Sequence, residues 1–218
     1  MNPAISLADV LVLIEAAATI AFALSGLLAA ARKRLDAVGV CVVAGLAAFG
    51  GGTLRDVLLD RRPFFWVEHA AWVWTILLLC VVAMFLMRAR HFAPTERAMQ
   101  WPDALGLGLF TASGTQVALA LGMPAIVAVL MGMVSAVFGG VLRDIVCNEI
   151  PSAFSDHRPY AVCSFIGGWA MVAAQALQWS SWAGLVGAVV VASGLRVLAL
   201  ALDLELPRWS QGAADRDR

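Results

Sequence analysis

Apolar residues fill this chain in long stretches that polar residues seldom interrupt, without the one-sided spacing of a helix that faces water. A helix that crosses the hydrocarbon core of a bilayer needs roughly 20 mostly apolar residues. Seven segments meet that requirement, at about 8–31, 36–59, 69–87, 103–121, 124–147, 159–178 and 182–202. Polar and turn-forming residues gather between them: Arg32-Lys33-Arg34-Leu35-Asp36, Asp60 to Glu68, Arg88 to Pro102, the tight Gly122-Met123-Pro124, Asn148 to Arg158, and Trp179 to Ser181. The pattern predicts an all-α integral membrane protein, a single membrane domain over 1–218 with a tail at 203–218.

Composition agrees, since 61% hydrophobic and 14% charged residues cannot be covered by a water-facing surface. A formal net charge of zero, with the charges in loops and tail, argues against a nucleic-acid partner. Cys41, Cys80, Cys147 and Cys163 fall within apolar runs and read as small buried hydrophobes. The first span lacks the basic start of a signal peptide, and Glu15 interrupts it, so it reads as part of the mature protein. Cytoplasmic loops carry the excess of Lys and Arg. With the N-terminus outside, the cytoplasmic side receives Arg32, Lys33, Arg34, Arg88, Arg90, Arg97, Arg158, Arg208, Arg216 and Arg218, and the outer side only Arg61 and Arg62. The expected orientation is N-terminus out, C-terminus in the cytoplasm, in a cell (inner) membrane.

Displaced by 88 residues, the chain aligns with itself without a gap, giving 13 identities in 49 positions over residues 15–63. Phe22-Ala23-Leu24-Ser25-Gly26 falls on Phe110-Thr111-Ala112-Ser113-Gly114, Glu15 on Asp103 and Pro63 on Pro151. Chance likeness between apolar segments would match Ala, Val and Leu; these matches include Ser-Gly, Gly-Gly, Arg-Asp and Pro. Two repeats follow, 8–87 and 103–178, each of three spans. Because three is odd, the second must be inverted in the membrane, a recurrent plan for transport proteins with the pathway at the repeat interface. The seventh span, 182–202, has no counterpart.

Within each repeat the second span carries a glycine run and an Arg-Asp pair: Gly50-Gly51-Gly52-Thr53-Leu54-Arg55-Asp56 and Gly139-Gly140-Val141-Leu142-Arg143-Asp144. Glycine costs roughly 1 kcal/mol of helix propensity, and a charge at the bilayer centre at least about 2.5 to 3.5 kcal/mol. One reading is a broken helix whose freed carbonyls face a cation pathway. The other is close helix approach at small residues, which explains the glycines but not the charges. Neighbouring helix residues point roughly 100° apart, so Arg55 and Asp56 are expected to pair badly with each other. Glu15 with Arg55 and Asp103 with Arg143 are the expected ion pairs, against separate snorkelling to the interfaces.

Ser25 and Ser113 repeat and either line the same path or bond their own helices. Arg196 is expected to reach Asp203 or to snorkel inward. His69, His91 and His157 have no paired ligands, so no metal site or other cofactor is expected. Trp66, Trp101, Trp179 and Trp182 read as interfacial anchors. No nucleophile with an adjacent base and no clustered carboxylates are present, so the chain does not read as an enzyme.

The glycine and Arg-Asp motifs, within the three-plus-three-plus-one plan, resemble the bacterial branch of the trimeric intracellular cation channel family, a group also described as putative glycine transporters. The resemblance covers roughly residues 5–202. It implies a homotrimer with one pore per subunit, conducting monovalent cations, potassium foremost and sodium next. It also implies bends in the second and fifth helices at Gly50, Gly51, Gly52, Gly139 and Gly140; the motifs themselves lead us to expect Thr53, Arg55, Asp56, Arg143, Asp144, Ser25 and Ser113 beside the pore. The alternative is a glycine or small-amino-acid transporter working by alternating access. From Trp101 to Gly122 the chain has no Lys or Arg, so the inositol-lipid gating of the animal members' fourth helix is not implied.

Overall fold

Seven long helices and two single-turn ones account for most of residues 6–90, 95–155 and 158–207, which the computed structural model describes. In order they are α1 (Leu7–Arg32), α2 (Ala37–Leu58), α3 (Phe65–Glu68), α4 (Ala71–Arg90), α5 (Glu96–Ala120), α6 (Ala125–Val146), α7 (Ser152–Ser155), α8 (Ala161–Ala176) and α9 (Ser181–Ala201). No strand occurs among the described residues. Each of the seven expected apolar segments overlaps one long helix. Two loops, however, contain the short α3 and α7, which are too brief to leave a periodic signal. In addition, α5 starts at Glu96, well before the expected 103, and continues through Pro102. Thr95 provides its start, accepting from Ala98 N at 3.2 Å. His91, His157 and the tail beyond 207 lie outside the described residues.

Local chemistry explains where the helices begin and end. Ser6 and Asp9 form a reciprocal capping box at α1, and Asp36 and Ser180 accept from the first-turn amides of α2 and α9. Six helices end alike, on a residue of positive φ: Arg34, Asp60, Gly122, Asn148, Gln178 and Asp203. After α1, Leu35 N bonds Ala30 O and Arg34 N bonds Ala31 O, a Schellman ending that satisfies carbonyls the helix would leave open. The same pair of bonds closes α2, through Arg61 N to Asp56 O and Asp60 N to Val57 O, and α6, through Glu149 N to Asp144 O and Asn148 N to Ile145 O.

The bundle interior is built from small side chains and aromatics. Ala18, Ala23, Ala30, Ala44, Ala47, Ala48, Phe22, Phe65, Leu107 and Phe110 are buried. The outer surface is apolar as well, with Leu13, Val38, Trp74, Phe85, Leu105, Ile126, Trp169 and Val190 all exposed. Such a surface is matched by lipid and not by water. Four helices, α1, α2, α6 and α9, are long and apolar enough to cross a membrane, and Ala71–Met87 of α4 and Ala161–Ala176 of α8 are shorter apolar helices.

Candidate functional site

Arg55 lies one turn before the end of α2 with its side chain fully buried. Its Nη1 donates to Glu15 Oε1 of α1 at 2.7 Å, and its Nε donates to Asp56 Oδ1 at 2.9 Å. Asp56 Oδ2 accepts from the Phe65 amide at 2.8 Å, so the carboxylate also anchors α3. Arg61, partly exposed, approaches Asp56 Oδ1 at 3.7 Å. The same arrangement recurs at Arg143, near the end of α6. Its Nη1 donates to Asp103 Oδ1 of α5 at 2.5 Å and its Nε to Asp144 Oδ1 at 2.7 Å, while Asp144 Oδ2 accepts from the Ser152 amide of α7 at 2.8 Å.

Both expected ion pairs therefore form, and snorkelling is excluded for these groups. The expectation that each Arg would pair badly with the Asp beside it is overturned. It considered only the 100° between Cβ directions, whereas an arginine is long enough to fold its Nε edge back over the adjacent residue. Burial supplies the drive, because a guanidinium out of water needs acceptors for all its faces and finds two carboxylates.

The glycines also need a correction. Helices α2 and α6 run through Gly50, Gly51, Gly52, Gly139 and Gly140 without a break, so no main-chain carbonyls or amides are freed there. The glycines instead let two helices meet. A Cβ at Gly51 would lie 1.9 Å from Ser135 O, and one at Gly139 would lie 2.3 Å from Ala47 O. Gly26 faces Ala44 and Ala47 in the way that Gly114 faces Gly132 and Ser135. Each contact maps onto the other when 88 residues are added. The close-approach reading accounts for Gly51 and Gly139, Gly52 makes room for the Phe65 ring, and the charges have their own explanation in the two clusters.

The remaining candidates divide. Ser25 joins the Arg143 cluster, accepting from Arg143 Nη1 at 2.5 Å and donating to Asp103 Oδ1 at 3.2 Å. Ser113 is buried, and its Oγ has no hydrogen-bond partner among the described residues. Thr53 is turned elsewhere: its hydroxyl donates to Phe49 O and accepts from Trp66 Nε1 at 3.0 Å. It lines an apolar cleft of about 570 Å³ with Gly45, Phe49, Gly50, Phe138 and Leu142. Trp66 is thus a structural partner as well as a candidate anchor. Arg196 does not reach Asp203, which pairs with Arg158; it is buried, donates to Pro159 O at 3.2 Å and lies over the Tyr160 ring at 4.8 Å. Sequence reasoning missed Phe22 and Phe110, whose rings stack at 5.6 Å between the clusters. Their signal was their identity within the repeat, used only to support the alignment.

An apolar helix bundle with an apolar exterior and two desolvated arginine–carboxylate clusters inside defines a multi-pass membrane protein. The chain belongs to the family described as "Glycine transporter", whose profile matches it twice, over residues 12–88 and 100–176. It is similar to a UPF0126 membrane protein of Vibrio cholerae, 34% identical over 93% of this chain and 84% of the relative. It is also similar to the UPF0126 inner membrane protein YadS of Escherichia coli, 32% identical over 88% of this chain and 92% of that one. Among solved structures, a trimeric intracellular cation (TRIC) channel orthologue from Rhodobacter sphaeroides superposes with a TM-score of 0.82 at 32% identity, covering 89% of this chain and 99% of its own. A second TRIC cation channel structure gives 0.80 at 32% identity over 93% and 98%. The resemblance read from the glycine and Arg-Asp motifs is thereby borne out, and the similar structures are channels and not enzymes.

Proposed function

We propose that the chain is a cation channel with a pore inside each subunit, passing between α1, α2, α5 and α6, and that potassium is the main permeant ion. The observation that carries this reading is the likeness to two TRIC cation channel structures over nearly the whole chain. The site's chemistry supports it. Two carboxylates meet each buried guanidinium, so the polar interior disfavours anions. The two clusters also lie at different depths, because Glu15 and Ser25, on one helix, belong to different ones; ten residues at 1.5 Å separate them by about 15 Å.

The reciprocal contacts of Gly51 with Ser135 and Gly139 with Ala47 support two inverted repeats, 8–87 and 103–178, with α9 added outside them. Homotrimeric assembly is part of the proposal, drawn from the TRIC neighbours. Recording from purified protein in planar bilayers tests the function: potassium gradients should give unitary currents, with a reversal potential near the potassium equilibrium value. Silence together with saturable glycine uptake into proteoliposomes would favour the transporter that the family description names.

A further inference from the structure

On α1 the interval between Glu15 and Ser25 holds one buried hydroxyl, that of Thr19, which donates back to Glu15 O at 2.7 Å, and one large buried ring, Phe22, which stacks on Phe110 of α5. Phe22 and Phe110 are both buried, with ring centroids 5.6 Å apart and planes 28° apart. Each lies seven residues after an acid of one cluster, Phe22 after Glu15 and Phe110 after Asp103, and seven residues is two helical turns, so ring and acid share a helix face. Phe22 also lies three residues before Ser25, which bonds Arg143. Along α1 the rings therefore stand about 10 Å from the Glu15 level and about 4.5 Å from the Ser25 level. The two phenylalanines are related by the 88-residue repeat, so the stack pairs a residue with its own counterpart.

The surroundings hold the stack in place. Phe65 meets Phe110 edge-on at 6.1 Å and carries the Arg55 guanidinium at 5.4 Å on its own ring, linking one charged cluster to the rings. On the other side Phe22 lies against Gly106, where a Cβ would come within 2.7 Å of the ring. Buried Ala18, Ala47 and Ala136 complete an apolar layer. At the level of the rings a hydrated ion moving from one cluster to the other would meet carbon surface, the condition under which a hydrophobic constriction stays dry and blocks conduction.

We infer that the Phe22–Phe110 stack is the closed constriction of the pore, lying between the two buried charged clusters, and that opening requires the rings to part. This rests on the channel reading above. The test compares two double variants of the full chain in planar bilayers under a potassium gradient: Phe22→Leu with Phe110→Leu, which stays apolar, and Phe22→Asn with Phe110→Asn, which admits water. The leucine pair should close as the wild type does, whereas the asparagine pair should raise resting open probability by about tenfold or more. If the asparagine pair does not assemble, the single Phe110→Asn variant should show the same change in smaller degree. A conducting wild type with asparagine variants of unchanged open probability would overturn the constriction and leave the channel reading standing. A wild type that never conducts would instead overturn the channel reading itself.

Discussion

Arg55 and Arg143 are the residues around which the interior is organised, and each is held by one acid from a distant helix and one from its own. Removing one partner of a buried ion pair leaves a charge without compensation, which costs far more than the pair contributes on balance. Glu15→Gln and Asp103→Asn should each destabilise the protein by about 3 kcal/mol. Ser25→Ala, which removes a hydroxyl from the same network, should cost about 1 kcal/mol, and Arg61→Gln, at a half-exposed site, less than about 1 kcal/mol. Thermal unfolding in detergent checks the order. Equal, small effects for all four would mean that the clusters do not bear on stability.

At the scale of the helices, the glycine runs are crossing points. Gly51→Ala and Gly139→Ala each place a methyl group on a backbone carbonyl of the facing helix, which cannot move aside as a side-chain tip can. Each should lower the unfolding temperature and weaken conduction by separating α2 from α6. Gly45→Ala, with nothing within 4 Å of the new methyl, should be neutral or stabilising by up to about 1 kcal/mol of helix propensity. Similar melting temperatures for Gly51→Ala and Gly45→Ala would refute the crossing. The positions of the long helices were largely legible in the sequence, because each coincides with a long apolar run, although α5 begins at Glu96 and not at 103. The single turns at Phe65–Glu68 and Ser152–Ser155 were not, since they form only where the amides of Phe65 and Ser152 find the carboxylates of Asp56 and Asp144.

For the whole molecule, the expected odd number of crossings and the basic-residue count predict that the two ends of the chain lie on opposite sides of the membrane. Ser6 and Leu204 are exposed, so cysteines introduced there should be labelled by an impermeant thiol reagent from the outside and from the cytoplasm respectively. Labelling of both from one side would refute the seven-span arrangement. The amino-acid order by itself determined the membrane class, the long helices, the repeat and both long-range ion pairs, because these depend on hydropathy, spacing and the need of a buried charge for a partner. Only the tertiary structure decided that the glycines join helices without breaking them, that each arginine also holds its neighbouring aspartate, and that Phe22 stacks on Phe110. Those outcomes depend on which surfaces the packed helices bring together and on how far a long side chain can reach, and neither is encoded in periodicity.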